Sequence, residues 1–230
     1  MKNLLLHKVQ LVLNAIAESG TIAINELAEK LDIPLPTMSR LISDMTEMKL
    51  LDKTDYYHVA LASGMIRLGE CARKHSFLVK RVAPLLDRYA EKVQMNVLLA
   101  GFDANTMFTI YHRGKTENDN LIWECGLAQV LMDQAKLPQS ECEELFRRNM
   151  PDFSDTARLI FAREMESIRN ERMLFRSNTM RQWSCACGFE YRNFNYGFCF
   201  YGHAPECSRE RFVLDCSMVL SRIISALNEE

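Results

Sequence analysis

Long apolar runs are missing from this sequence, and so is an excess of charge of one sign. No run approaches the roughly 18 consecutive apolar residues that a membrane span requires. Polar side chains interrupt the apolar residues 1–20, which also lack the cleavage site of a secretory signal. We therefore expect a cytoplasmic protein without membrane contact. The formal net charge of -2 excludes a polycation, so nucleic acid would have to be bound through a local patch.

The sequence also lacks the short motifs that carry catalysis. It has no glycine-rich phosphate loop, no nucleophile elbow, no His-x-x-x-His pair and no paired-carboxylate signature, and its histidines are scattered. We therefore expect neither an enzyme nor a bound cofactor or metal ion.

The composition that remains is that of a soluble globular protein. Hydrophobic residues make up 48% and charged residues 25% of 230 residues, which fits one or two domains that fold without a metal or disulfide. The eight cysteines are predicted to stay reduced, because no secretory signal accompanies them.

The first sixty residues show the succession of elements of a winged helix-turn-helix. Apolar residues at helical spacing predict three helices, a β-branched stretch predicts a short strand after the first, and a two-strand ribbon follows around the turn Thr54-Asp55. The predicted helices are 4–18, 25–31 and 35–49, and the predicted strands are 21–24, 50–53 and 56–59.

The rest of the chain mixes helices and strands. Pro84 falls inside one predicted helix and is expected to kink it or to mark its true start. The predicted helices are 61–74, 77–93, 127–135, 140–148, 155–170 and 208–227. The predicted strands are 94–102, 106–112, 121–124, 182–191 and 198–202, with a turn at 103–105 and a loop at 192–195.

The second helix of such a motif enters the major groove with its N-terminal end. That end carries Thr37, Ser39 and Arg40, whose hydroxyl and guanidinium groups can bond phosphates or base edges. The candidate backbone contacts at the ribbon tip are Lys53, Tyr56 and His58.

The charge of this segment weakens its attraction to DNA. Residues 1–59 contain six lysines and arginines and eight aspartates and glutamates, so six minus eight gives a net charge of -2. Because phosphate attraction supplies most non-specific affinity, we expect weak binding by one protomer and recovery of affinity through dimerisation.

The chain resembles the IclR family of bacterial transcription regulators over nearly its full length. The most specific stretches are residues 25–34, NELAEKLDIP, and 37–42, TMSRLI, which are similar to the family's second helix, turn and recognition helix. Tyr57 and residues 66–69, IRLG, are similar to its wing exit and linker helix.

The resemblance implies an α+β protein in three parts. These are a winged helix-turn-helix DNA-binding domain at 1–59, a linker helix at 60–76, and a GAF-like effector-binding and oligomerisation domain with an antiparallel sheet at 77–230. It further implies a homodimer or tetramer that binds a pseudo-palindromic operator in double-stranded DNA under the control of a small-molecule effector. The linker helix is the expected dimer element.

The chain departs from the family at two places. Leu35 and Pro36 stand where the family often has a basic and a hydroxyl residue. The effector strand keeps a cysteine at Cys185, but no acidic residue lies about ten positions before it. The pocket is therefore expected to take a ligand other than the family's small carboxylates, or none.

The effector-binding candidates begin with two cysteines. Cys185 and Cys187 lie two residues apart and should share one face of a strand. The weaker candidates are Asn96, Tyr111, Gly126, Tyr191 and Tyr201.

Two alternatives to a ligand-controlled regulator stay open. Cys199 lies on the expected partner strand, so three thiols facing one cavity would make a thiol sensor, or a metal sensor with Cys207 or His203. The acidic balance of residues 1–59 favours a second alternative, a winged helix that binds protein.

Overall fold

The computed structural model describes residues 4–103, 105–114, 120–150 and 152–229. Its backbone divides into two units, Met1–His75 and Ser76–Glu230. In each unit helices pack against an antiparallel sheet, so the predicted α+β class is confirmed. Within the described ranges, no helix combines the length and the hydrophobicity needed to cross a bilayer.

The first unit is a winged helix-turn-helix, and the predicted succession of its elements is confirmed. The elements are α1 (Leu4–Ser19), β1 (Thr21–Ala23), α2 (Ile24–Lys30), α3 (Leu35–Glu47), β2 (Leu51–Lys53), β3 (His58–Leu61) and α4 (Ser63–His75). The three strands pair antiparallel in the order β1-β3-β2. Strand β3 begins two residues later than predicted, because the turn before it is longer.

That turn is built around one carboxylate. Asp55 Oδ1 accepts hydrogen bonds from the backbone N–H groups of Tyr57 (2.7 Å) and His58 (2.8 Å). These bonds lower the pKa of Asp55, and they fold residues 54–57 into a turn that closes with the Thr54 N–H donating to the His58 carbonyl at 3.0 Å. The ribbon tip is therefore a defined structure.

Helix α3 has one buried and one exposed face. Pro36 lies in its first turn, where a missing N–H costs no helical hydrogen bond. The four apolar positions that helical spacing predicts to face inward are buried in the core of this unit. These positions are Met38, Leu41, Ile42 and Met45.

Helix α4 differs from the other helices of this unit because none of its residues is buried. Ile66 is 69% exposed and Leu68 is 48% exposed. Within this unit, α4 therefore has none of the apolar packing that normally stabilises a helix, and an isolated helix of this length is only marginally stable in water.

The second unit contains a five-stranded antiparallel sheet. Its elements are α5 (Phe77–Val93), β4 (Asn96–Asp103), β5 (Thr106–Arg113), α6 (Leu121–Glu124), α7 (Leu127–Gln134), α8 (Gln139–Asn149), α9 (Asp155–Glu171), β6 (Met173–Ser177), β7 (Gln182–Tyr191), β8 (Phe194–His203) and α10 (Arg209–Asn228). The strand order is β5-β4-β8-β7-β6. Ser76, Ser154 and Ser208 cap α5, α9 and α10 by accepting a backbone N–H three residues on.

Each face of this sheet carries its own hydrophobic core. One core joins the sheet to α5 and α10, and the other joins it to α6, α7, α8 and α9. Neighbouring residues of a strand therefore enter different cores: Leu98 belongs to the α6–α9 core, whereas Val97 and Leu99 belong to the α5–α10 core. Along each strand, alternate residues therefore meet different sets of helices.

Three sequence predictions for this unit are corrected. Residues 121–124 form a helical turn and not a strand. Because three consecutive residues are buried there, their hydrophobic pattern does not distinguish a strand from a helix. Strand β6 was not predicted, because its five residues show no alternation: the neighbours Met173 and Leu174 are both buried, one in each core of the sheet. Strand β8 begins at Phe194, because a two-residue turn at Arg192 and Asn193, both with positive φ, closes the hairpin earlier.

Other boundaries need smaller changes. Pro84 lies within α5, which neither begins nor ends there. Strand β4 begins at Asn96, because Gln94 ends α5 in a left-handed conformation with φ 54°. The predicted turn at 103–105 includes residue 104, which lies outside the described residues.

Candidate DNA-contacting surface and effector cavity

The exposed face of α3 carries the three residues predicted to contact DNA. Thr37, Ser39 and Arg40 are all exposed. Thr37 and Arg40 are three residues apart and therefore neighbours on the helix surface. Within the described residues Arg40 forms no ion pair, so its guanidinium is available to a phosphate or a guanine.

The ribbon tip presents its predicted residues unequally. Lys53 is exposed, and Tyr56 is 84% exposed. The His58 ring is instead held by Asp55, with Nδ1 at 2.8 Å from Oδ2. The turn therefore uses His58 as a structural group, while Lys53 and Tyr56 project from it.

The second unit contains a cavity of about 730 Å³. It lies on the sheet face that packs against α6–α9, beside a row of polar residues. Four polar residues, one from each of β4, β8, β7 and β6, are direct cross-strand partners in that order and point to this face. This polar row is Asn96, Tyr201, Ser184 and Arg176. The next row on the same face is apolar and belongs to the core: Leu98, Cys199, Ala186 and Leu174.

Helices α6 and α9 supply the walls opposite the polar row. Leu121 and Glu124 come from α6, and Ile160 and Glu164 come from α9. A volume of this size falls within the usual range for small-molecule sites, and the mixture of apolar walls with a few converging polar groups is typical of them.

Arg176 and Glu164 form the central ion pair of the cavity. Arg176 Nε donates to Glu164 Oε1 at 2.7 Å, and its Nη2 donates to Oε2 at 2.6 Å. Arg176 Nη1 donates to the carbonyls of Glu124 at 2.7 Å and Trp123 at 3.5 Å. The fully buried Gln129 adds a third hydrogen bond to Glu164, at 3.0 Å. The arrangement fixes both charged side chains.

Among the effector candidates of the sequence, Asn96 and Tyr201 line this cavity. Gly126 lies beside it, because a Cβ there would be 3.3 Å from Arg176 Nε. Tyr111 and Tyr191 belong to the opposite face and pack against the α5–α10 core. The Tyr111 hydroxyl donates to Asp87 at 2.8 Å, and burial together with this carboxylate raises the pKa of Tyr111 to about 12.

The predicted role of the cysteines is corrected. Cys185 and Cys187 do share one face, but that face meets α5 and α10, so neither lines the cavity. Cys199 pairs with Ala186 and lies on the other face. Because odd and even residues of β7 point to opposite sides, the neighbour of Cys185 that lines the cavity is Ser184, and Gln182 and Trp183 line it at the start of the strand.

The three-thiol sensor loses its geometric basis for the same reason. Cys185 lies with Cys187 and Cys216 in the α5–α10 core, whereas Cys199 lies in the α6–α9 core, where its thiol donates to the Cys125 carbonyl at 3.6 Å. Burial raises the pKa of Cys199 well above its usual value and makes the reactive thiolate rarer. In the part of the chain that the structure describes, no three His, Cys, Asp or Glu side chains are grouped to hold a metal.

Sequence reasoning missed most of the cavity. Ser184 was not considered, because the prediction for this strand concerned its neighbour Cys185. A polar residue within the buried part of the strand was the signal that could have identified it. Arg176 lies on β6, the strand that was not predicted. Glu164 lies on a correctly predicted helix, but nothing in the sequence pairs it with Arg176.

Comparisons with known proteins agree with this architecture. Residues 6–55 match the family model described as the IclR helix-turn-helix domain. This match and the fold define the first unit as a helix-turn-helix domain of the type found in IclR transcription regulators. The resemblance to IclR found in the sequence is thereby confirmed for the helix-turn-helix domain, residues 6–55.

Solved structures share the fold of the chain at low sequence identity. An IclR family transcriptional regulator from Brucella abortus has a TM-score of 0.61 and 18% identity, covering 97% of this chain and 90% of that one. An IclR homolog from Microbacterium hydrocarbonoxydans complexed with 4-hydroxybenzoate has a TM-score of 0.56 and 16% identity, covering 98% and 100%. An IclR homolog from Microbacterium sp. strain HM58-2 has a TM-score of 0.52 and 16% identity, covering 98% of each chain. No curated protein matches the chain.

Proposed function

We propose that the protein is a sequence-specific DNA-binding transcription regulator of the cytoplasm, controlled by a small molecule in the cavity beside the polar row, and not an enzyme. The observation that carries the proposal is the match of residues 6–55 to the IclR helix-turn-helix domain. It is supported by a recognition helix that leaves Thr37, Ser39 and Arg40 exposed. In this proposal α3 lies in the major groove, and Lys53 and Tyr56 approach the flanking backbone.

We further propose that the protein acts as a homodimer or tetramer joined through α4. The helix buries no residue in its own chain and exposes Ile66 and Leu68. A second copy would cover this apolar surface, together with Met65 and Ala72 from the same helix. Two recognition helices would then read two half-sites of a pseudo-palindromic operator, which offsets the weak phosphate attraction of a segment with net charge -2.

The cavity supports control by a small molecule. Its volume of about 730 Å³ is sufficient for a ligand of the size of 4-hydroxybenzoate, which the Microbacterium hydrocarbonoxydans homolog binds. In this proposal the effector favours one arrangement of the two winged helices over another, and the coupling between the two sites is typically worth about 1–3 kcal/mol.

The proposal is tested by selecting DNA with the purified full-length chain. Sheared genomic DNA is passed over the immobilised protein, retained fragments are sequenced, and the strongest is footprinted. We expect two protected half-sites about 10–10.5 base pairs apart, centre to centre, or a multiple of that distance. Failure to retain any fragment, with or without small-molecule extracts, would contradict DNA binding and favour the protein-interaction alternative.

A further inference from the structure

We propose that the effector of this cavity is a molecule without a negative charge, recognised through hydroxyl or amide groups, and that the Arg176–Glu164 pair excludes carboxylates. The inference rests on the proposed function, since it names the ligand class of the same cavity. It differs from what the 4-hydroxybenzoate complex of a structural neighbour would suggest.

The charges of the cavity are the first step. Among the described residues that line it, Arg176 is the one cation, and Glu124 and Glu164 are acidic. A carboxylate effector needs a cation or several N–H donors that are not already engaged. Arg176 is thus the only cation in the described lining that could form an ion pair with it.

Arg176 is already occupied. Two of its N–H groups bind both oxygens of Glu164, and two more contacts go to the carbonyls of Glu124 and Trp123. A guanidinium has five N–H groups, so these contacts leave one for a ligand. The paired, bidentate geometry that makes arginine a good carboxylate receptor is therefore used inside the protein.

An incoming carboxylate would also meet Glu164 itself. The Glu164 side chain is 15% exposed, and two ionised carboxylates sharing one guanidinium repel each other. Among the described residues, Gln129 is the one partner that Glu164 would keep if a ligand displaced it from Arg176, and its charge would stay largely buried, which is strongly unfavourable. A ligand without charge avoids both costs.

Neutral partners are available in the polar row. Ser184 is 8% exposed and lines the cavity. Neither the Ser184 hydroxyl nor the Asn96 amide forms a side-chain hydrogen bond with the described residues. A hydroxyl and an amide each donate and accept, so this pair suits a ligand amide, alcohol or ketone.

The experiment compares matched acid and amide probes on the full-length chain. The pairs are benzoate with benzamide, 4-hydroxybenzoate with 4-hydroxybenzamide, and nicotinate with nicotinamide, each measured by calorimetry and by thermal shift. At neutral pH the members of a pair have nearly the same shape and differ by one charge. We expect the wild type to bind the amide of at least one pair, and to bind it at least tenfold more tightly than the acid.

Two variants test the role of the ion pair. Glu164→Gln removes the internal carboxylate and frees Arg176, so acid binding should improve at least tenfold while amide binding changes little. Adding Arg176→Gln should abolish that gain. The matched control is Glu143→Gln, because Glu143 is 13% exposed and pairs with Arg158 at 2.9 Å but does not line the cavity. The acid-to-amide ratio of this control should equal that of the wild type.

A third variant keeps the inference testable if the ion-pair variants fold poorly. Ser184→Ala preserves the shape of the strand and removes one hydrogen-bonding group, so amide binding should weaken about fivefold. Unchanged amide binding by this variant would contradict the assigned recognition.

The outcomes separate this inference from the proposed function. An acid that binds the wild type more tightly than its amide, at the cavity, overturns the inference and leaves effector binding standing. A gain of acid binding that survives loss of Arg176 overturns the role of the pair. If no probe binds the wild type or Glu164→Gln, both the inference and effector binding in this cavity fail.

Discussion

Gly126→Ala is expected to destabilise the second unit through two separate effects. Gly126 precedes α7 with φ +87°, in the left-handed region, where a residue with a Cβ costs about 1–2 kcal/mol. The new Cβ would also lie 2.8 Å from Leu174 Cδ2 and 3.3 Å from Arg176 Nε. Leu174 is 3% exposed and moves at the expense of core packing, so crowding adds about 1–2 kcal/mol. The free energy of unfolding should fall by about 2–4 kcal/mol.

Denaturant unfolding followed by tryptophan fluorescence measures this loss directly. The two tryptophans of the chain, Trp123 and Trp183, both lie in the second unit, so their signal reports on that unit. The control is Gly69→Ala on α4, where a Cβ meets nothing within 4 Å. By circular dichroism it should be neutral or stabilising by about 1 kcal/mol. A Gly126→Ala protein as stable as the wild type would refute the backbone and packing argument.

Three further predictions concern association, thiols and pH. Ile66→Asp should convert the oligomer to a monomer in light scattering, because it places a charge in the proposed α4 contact; an unchanged mass would remove α4 from the interface. A thiol reagent should label Cys71 quickly and Cys207 more slowly in the folded protein, and the six buried cysteines only after unfolding; rapid labelling of Cys185 would revive the thiol-sensor alternative. Folding raises the pKa of Tyr111 from 10.0 to about 12, so its contribution to stability is complete below pH 10 and is lost as the pH rises towards 12. Tyr111→Phe should lose less stability than the wild type over that interval, and identical pH profiles would count against the assigned environment.

The winged helix-turn-helix was predictable from sequence because local signals agree there. Helical spacing on α3, Pro36 in its first turn and the turn before it all predict the same structure. The start of β3 was misplaced because the deciding contact, Asp55 to two backbone N–H groups, is a side-chain turn that hydrophobic spacing does not reveal.

The cavity was less predictable because strand register and long-range pairing decide it. The step from Cys185 to Ser184 is one residue, yet it moves the side chain from the α5–α10 core to the cavity. Cys199 was expected to join Cys185 because the strands are neighbours, but the register pairs it with Ala186. Arg176 and Glu164 meet only because β6 and α9 are brought together by the fold.

The central claim, that this protein binds DNA through α3, is tested most directly by fluorescence anisotropy on the selected genomic fragment. Wild type, Arg40→Ala and the control Arg147→Ala, an exposed arginine on α8, are compared from 50 to 200 mM salt. Arg40→Ala should lose about 1–3 kcal/mol of binding free energy per protomer if Arg40 is bidentate to a base, and Arg147→Ala should lose none. The net charge of -2 in residues 1–59 also predicts a smaller salt effect than the roughly 10³–10⁵-fold loss of proteins with 6–10 phosphate contacts. Equal affinities of wild type and Arg40→Ala at every salt concentration would contradict the claim.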